Sequence, residues 1–146
     1  MNSRCFDVRA EPFEHVRLWV EAYCGESKAG EQQAWQLQLV LEEFFVNSLT
    51  HGYPGLKSAP AEWPAWITLT HDASGIRVVY EDAAFEFNPF ARIKRPDYSG
   101  PVESWRVGGQ GLPLIEAMVH DLNYARVDGR NRLTLILPPD LPAGAA

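Results

Sequence analysis

Glu43, Asn47 and His51 recur at intervals of four within LQLVLEEFFVNSLTHGYPG, residues 37–55. In a helix that spacing stacks the three side chains on neighbouring turns of one face. A carboxylate one turn from a carboxamide supplies two different abilities. Glu43 can accept a proton, and the side-chain oxygen of Asn47 can bind a hard cation such as Mg²⁺, which takes few protein ligands and completes its shell with phosphate and water. Polar residues at helical spacing also make the outer face of an ordinary amphipathic helix, so the trio needs further support.

The elements that would position these residues follow from periodicity. Leu37, Val40, Leu41, Phe44, Phe45 and Leu49 recur every three or four residues and predict a helix over 31–51, about 30 Å long, stopped by Gly52 with Pro54 behind it. Pro12, Phe13, Val16, Val20 and Tyr23 predict an earlier helix over 12–24, and residues 3–8 a short edge strand. The Gly- and Pro-rich stretch after His51 reads as a surface loop. Residues 66–71 and 76–81, either side of Asp72-Ala-Ser-Gly75, predict one hairpin; 122–127 and 132–137, either side of Asp128-Gly129-Arg130-Asn131, predict another. Leu133, Leu135 and Leu137 should share one face of the last strand.

Segregated helices and antiparallel hairpins imply an α+β two-layer sandwich, a mixed and mostly antiparallel sheet with helices on one face. The 146 residues fit one domain, placed at 1–138, with 139–146 as a flexible C-terminal tail. A formal charge of −6 with no basic cluster argues against direct nucleic-acid binding. No apolar run is long enough for a bilayer span, and no export signal is visible at the N-terminus, so a cytoplasmic protein is expected. Cys5 and Cys24 are isolated from each other and suggest neither a zinc site nor a disulfide framework.

Two further stretches could carry chemistry. The second strand of the first hairpin runs into Glu81-Asp82-Ala83-Ala84-Phe85-Glu86-Phe87-Asn88-Pro89, which leaves a carboxylate at a strand end. Gly108-Gly109-Gln110-Gly111-Leu112 then opens a helix, where exposed amides and the helix dipole favour an anion. Between them Arg92, Lys94, Arg95 and Arg106 lie in a stretch without apolar periodicity.

Taken together the three blocks resemble the GHKL ATPase superfamily, and within it the branch of bacterial anti-sigma-factor serine kinases. Glu43-Phe-Phe-Val-Asn47-Ser-Leu-Thr-His51-Gly52-Tyr53 is similar to that branch's Glu-x-x-x-Asn-Ala-x-x-His-Gly-Tyr helix ending. The Asp82 block resembles Asp-x-Gly-x-x-Phe-Asp-Pro, with Ala84 where the family has glycine. Gly108 to Ile115 resembles Gly-Gly-x-Gly-Leu-x-Leu-Ile. The resemblance covers residues 6 to 137 and implies the Bergerat ATP-binding fold. It implies ATP and Mg²⁺ as cofactors, Asn47 as the Mg²⁺ ligand, and Glu43 as the group that orients or deprotonates a serine hydroxyl. Asp82 would accept the amine of adenine; His51, Ala84, Gly108, Gly109, Gly111 and Leu112 complete the implied ATP site, and the basic stretch between the blocks stands where the family has its ATP lid.

The partners implied are a small antagonist protein phosphorylated on Ser or Thr and a sigma factor, with the kinase as a homodimer. Ala84 motivates the alternative of a catalytically weak or inactive partner-binding module with impaired nucleotide binding. If that position needs a positive φ, a methyl group costs on the order of 1 kcal/mol.

Overall fold

The computed structural model describes residues 1–91 and 111–142. β1 (Asn2–Asp7) is followed by α1 (Phe13–Ser27) and α2 (Glu31–Asn47), which runs without a break into a π-turn at Ser48–Gly52. The β2 (Pro64–Asp72) and β3 (Gly75–Asp82) hairpin comes next, then α3 (Gly111–Met118) and the hairpin of β4 (His120–Val127) and β5 (Arg130–Leu137). The strands form one sheet in the order β1-β2-β3-β5-β4, and all four pairings are antiparallel. This is the α+β arrangement of a GHKL-like ATPase, with a sheet more uniformly antiparallel than the mixed one expected.

Alternation decides which face of the sheet is covered. Ala65, Ile67 and Leu69 of β2, Ile76, Val78 and Tyr80 of β3, and Leu133, Leu135 and Leu137 of β5 are all buried, while the residues between them are partly buried or, at Arg77, exposed. The stripe of α2 meets this face: Leu37, Val40, Leu41, Phe44 and Phe45 are buried, and α2 contacts both β3 and β5. Phe44 packs its ring 5.4 Å from that of Tyr80 across the layer. Asp128 and Gly129 take φ of 51° and 77°, the type I′ geometry that closes β4 onto β5 in two residues; β5 accordingly starts at Arg130, inside the stretch expected to be turn.

Both ends of α2 are fixed by contacts distant in sequence. At its start the backbone N–H groups of Gln32 and Gln33 donate to the Asp140 carboxylate at 3.0 and 2.8 Å, so a residue in the stretch read as tail caps the helix. Gln33 adds a bond from Nε2 to the Leu137 carbonyl at 3.1 Å. At its end the backbone widens by one residue: Tyr53 N–H donates to the Ser48 carbonyl at 3.0 Å, an i to i−5 bond. The Tyr53 ring, stacked on Trp63 at 5.4 Å, holds that turn, and its hydroxyl accepts the Ala83 N–H at 2.9 Å.

Candidate functional site

The last turns of α2 set the frame. Glu43 and Asn47 lie one turn apart and half-buried, while Phe44 and Phe45 between them turn into the core. β3 ends on Asp82, and cross-strand register places Asn131 of β5 opposite it. Above these residues is a pocket partly open to solvent. Phe44, Phe85 and Phe87 give it aromatic walls, and Asn47, Asp82 and Asn131 give it polar groups.

Asp82 is buried and held from three sides. Its Oδ1 accepts the Asn131 Nδ2–H at 2.8 Å and the Ala84 backbone N–H at 3.3 Å, and its Oδ2 accepts the Ser48 hydroxyl at 2.7 Å. Ser48 Oγ is also 2.7 Å from the Tyr80 hydroxyl. A serine hydroxyl has a single proton, already given to Asp82, so the phenol must be the donor. Burial pushes the Tyr80 phenol well above its usual value, which keeps that proton in place. Donation therefore runs from Tyr80 to Ser48 to Asp82.

Asn131 is the residue that sequence reasoning missed. Its Nδ2 donates to Asp82 and to the Phe85 carbonyl, both at 2.8 Å; its Oδ1 accepts the Phe87 N–H at 3.1 Å and the Tyr124 hydroxyl at 2.6 Å. The signal was present: continuing the alternation Leu137, Leu135, Leu133 by one step puts residue 131 on the inward face. Ser48 was likewise passed over, though it stands where the family pattern has alanine.

Glu43 meets the third block. A Cβ built on Gly111, the first residue of α3, would lie 2.2 Å from Glu43 Oε1, so the carboxylate rests in the space that this glycine leaves open. Burial, and to a smaller degree neighbouring Glu42, pushes the Glu43 carboxyl above its usual value and makes it a stronger base than an exposed glutamate. Leu112, next along α3, is half-buried against the core.

The remaining expected site residues are placed as follows. His51 is exposed on the π-turn and does not line the pocket. Gly108 and Gly109 lie outside the described residues, as do Arg92, Lys94, Arg95 and Arg106. Ala84 differs from expectation. The non-glycine residues with positive φ among those described are Lys28, Asp121 and Asp128, so the strain anticipated at residue 84 does not arise. Its methyl group is buried behind the pocket rather than lining it, and a Cβ on Gly52 would come within 2.9 Å of it. The methyl fills room that Gly52 vacates.

Three sequence-distant segments thus meet along the end of α2. The family model for the histidine kinase-like ATPase domain matches residues 6–137. The chain belongs to that family. A relative within reach is the serine/threonine-protein kinase BtrW of Bordetella bronchiseptica, 25% identical over 129 residues, covering 88% of this chain and 87% of the relative. The match accounts for the whole sandwich, from the end of β1 to the end of β5.

A histidine kinase-like ATPase domain handles a nucleotide, usually with Mg²⁺, and the donor set can be tested for that. Among the described residues no three His, Cys, Asp or Glu side chains gather to hold a metal. Mg²⁺ characteristically draws most of its ligands from phosphate and water, so a single carboxamide such as Asn47 suits it. The aromatic walls and the Asp82 carboxylate suit a flat base that carries an amine. Among the described residues no helix is long and apolar enough to cross a membrane.

Proposed function

We propose that this chain is an ATP- and Mg²⁺-dependent protein serine/threonine kinase that acts as an anti-sigma factor or related partner-switching regulator. In this reading it phosphorylates a small antagonist protein and, in the other partner state, holds a sigma factor. It works in the cytoplasm, as a homodimer, and without direct contact to nucleic acid or membrane. The observation that carries the proposal is the convergence itself. Asn47 and Asp82, from separate elements, line one pocket, and Glu43, one turn before Asn47, reaches the first residue of α3. The serine/threonine kinase name of the Bordetella relative supports the reaction class.

In this reading the labour divides among three side chains. Asp82 would accept the base amine, and Asn47 would hold the cation that screens the phosphates. Glu43 takes the proton of the incoming hydroxyl, for which its raised basicity suits it. ATP supplies the phosphoryl group when bound. Positioning and charge stabilisation do most of the remaining work. The test is transfer of label from γ-labelled ATP to a panel of small antagonist-type proteins, comparing wild type with Glu43→Gln. Transfer by wild type and at least about a hundredfold loss in the variant is the expected result; equal transfer by both removes Glu43 from this role.

The alternative reading, a partner-binding module without turnover, was motivated by Ala84. A thermal shift separates the two, because a ligand at a hundred times its dissociation constant stabilises by about 2.7 kcal/mol. No shift at millimolar Mg²⁺–ATP favours the module.

A further inference from the structure

The polar floor of the pocket is a closed arrangement of protons, and two backbone groups decide its polarity. The Phe85 carbonyl can only accept and the Phe87 N–H can only donate, so the Asn131 carboxamide between them has one orientation. Its amine faces Phe85, its oxygen faces Phe87, and the second amine proton falls on Asp82 Oδ1. A carboxylate has about four acceptor positions. Asn131 and Ala84 take those on Oδ1, and Ser48 takes one on Oδ2, which leaves a single acceptor position on Oδ2. The donors around it are committed. Both Asn131 N–H groups, the Ser48 hydroxyl and the Tyr80 hydroxyl are already spoken for within the protein.

We infer that Asn131 is a positioning residue that sets the base specificity of the pocket, by fixing Asp82 as an acceptor on the side of Ser48 and leaving no uncommitted donor beside Asp82 for a carbonyl. Such a floor receives a 6-amino purine and repels a 6-oxo purine, whose oxygen would face the carboxylate. The inference rests on the nucleotide-binding reading and deepens it. Asp82 alone does not fix the outcome, because a carboxyl that was free to protonate or turn could present an O–H to the oxo group. The fixed donors from Asn131, Ala84 and Ser48 keep it an acceptor.

An isosteric exchange reads out that control. In Asp82→Asn the N–H groups of Asn131 and Ala84 still require an acceptor at Oδ1, so the new amide must put its oxygen there. Its amine then lies on the Ser48 side, with one N–H on Ser48 Oγ and the other facing the pocket. In the double variant Asp82→Asn with Asn131→Leu, residue 131 no longer donates to residue 82. Only the longer 3.3 Å contact from the Ala84 N–H still favours the oxygen at Oδ1, so the amide at 82 can present either end to the pocket.

The experiment measures dissociation constants of Mg²⁺–ATP and Mg²⁺–ITP on the whole chain by calorimetry, with thermal melting to confirm that each variant is folded. Wild type is expected to favour ATP by at least about a hundredfold. Asp82→Asn is expected to favour ITP, and the double variant to lose most of that preference. A residue that served only the fold would lower both affinities together and leave their ratio unmoved. A folded Asp82→Asn that keeps the wild-type preference overturns the inference, as does a folded double variant that behaves like the single one. If the double variant does not fold, the single exchange decides alone. A wild type that binds ATP and ITP equally refutes this inference and leaves the nucleotide reading standing; one that binds neither refutes the nucleotide reading itself.

Discussion

The carboxylate of Glu43 stands where a side chain at residue 111 would be: an added Cβ there would come within 2.2 Å of Oε1 and 2.3 Å of Cδ. On the proposed reading, in which residue 111 frees a backbone for phosphate and Glu43 is the base, its missing side chain also seats that base. Gly111→Ala is expected to push Glu43 out of line. A misplacement of this size costs about a hundredfold in kcat. Rapid-quench kinetics at saturating ATP checks this, and a variant that lost only ATP affinity would show that the seat for Glu43 is dispensable.

Glu43 also predicts a pH profile. Its carboxyl titrates above the ordinary glutamate value of 4.5, chiefly through burial and then through Glu42. A base works only when deprotonated, so the rate should fall as pH drops through that raised value and stay flat above it. Glu43→Gln should lack this acid limb altogether, and Glu42→Gln should move it toward lower pH because a like charge is removed. A wild-type limb at or below the ordinary glutamate range would contradict the assignment.

What the sequence made legible was whatever repeats. The stripe from Leu37 to Phe45 and the inward leucines of β5 announce their faces because helix and strand have different periods, and burial follows the announced face. The hairpins and the three blocks were likewise readable locally. Asp140 was not, because its partners lie 107 and 108 residues away and nothing near it signals a cap. Asn131 was hidden differently: a polar residue beside a turn reads as solvent-facing, although the alternation of β5 carried one step further puts it on the inward face opposite Asp82. The π-turn at Ser48–Gly52 continues the helical pattern with one residue more per turn, which periodicity over five residues cannot resolve.

The Asp140 contact carries a stability expectation. Removing an N-cap carboxylate costs about 1 kcal/mol, and Asp140→Ala also leaves two amide donors at the start of α2 without their partner. A lower urea midpoint with an unchanged slope is expected, since the unfolded surface is the same. Asp140→Asn should recover part of the loss, as the amide oxygen can still accept. A midpoint that does not move would show that water replaces the cap at no cost.

Ala84 and Gly52 form the last testable pair. In this chain the methyl at 84 is buried where a Cβ on residue 52 would come within 2.9 Å, so the two positions share one methyl's worth of space. Ala84→Gly empties it, losing a buried methyl and adding backbone freedom, which together cost about 1–2 kcal/mol. Gly52→Ala overfills it, and overpacking costs about 1–3 kcal/mol. The double exchange moves the methyl from one side to the other and should recover much of both losses, a coupling that a double-mutant cycle in urea measures directly. Because the methyl does not line the pocket, ATP affinity of Ala84→Gly should stay within about threefold of wild type, less than 1 kcal/mol. A gain of tenfold or more would mean that the methyl obstructs the nucleotide after all.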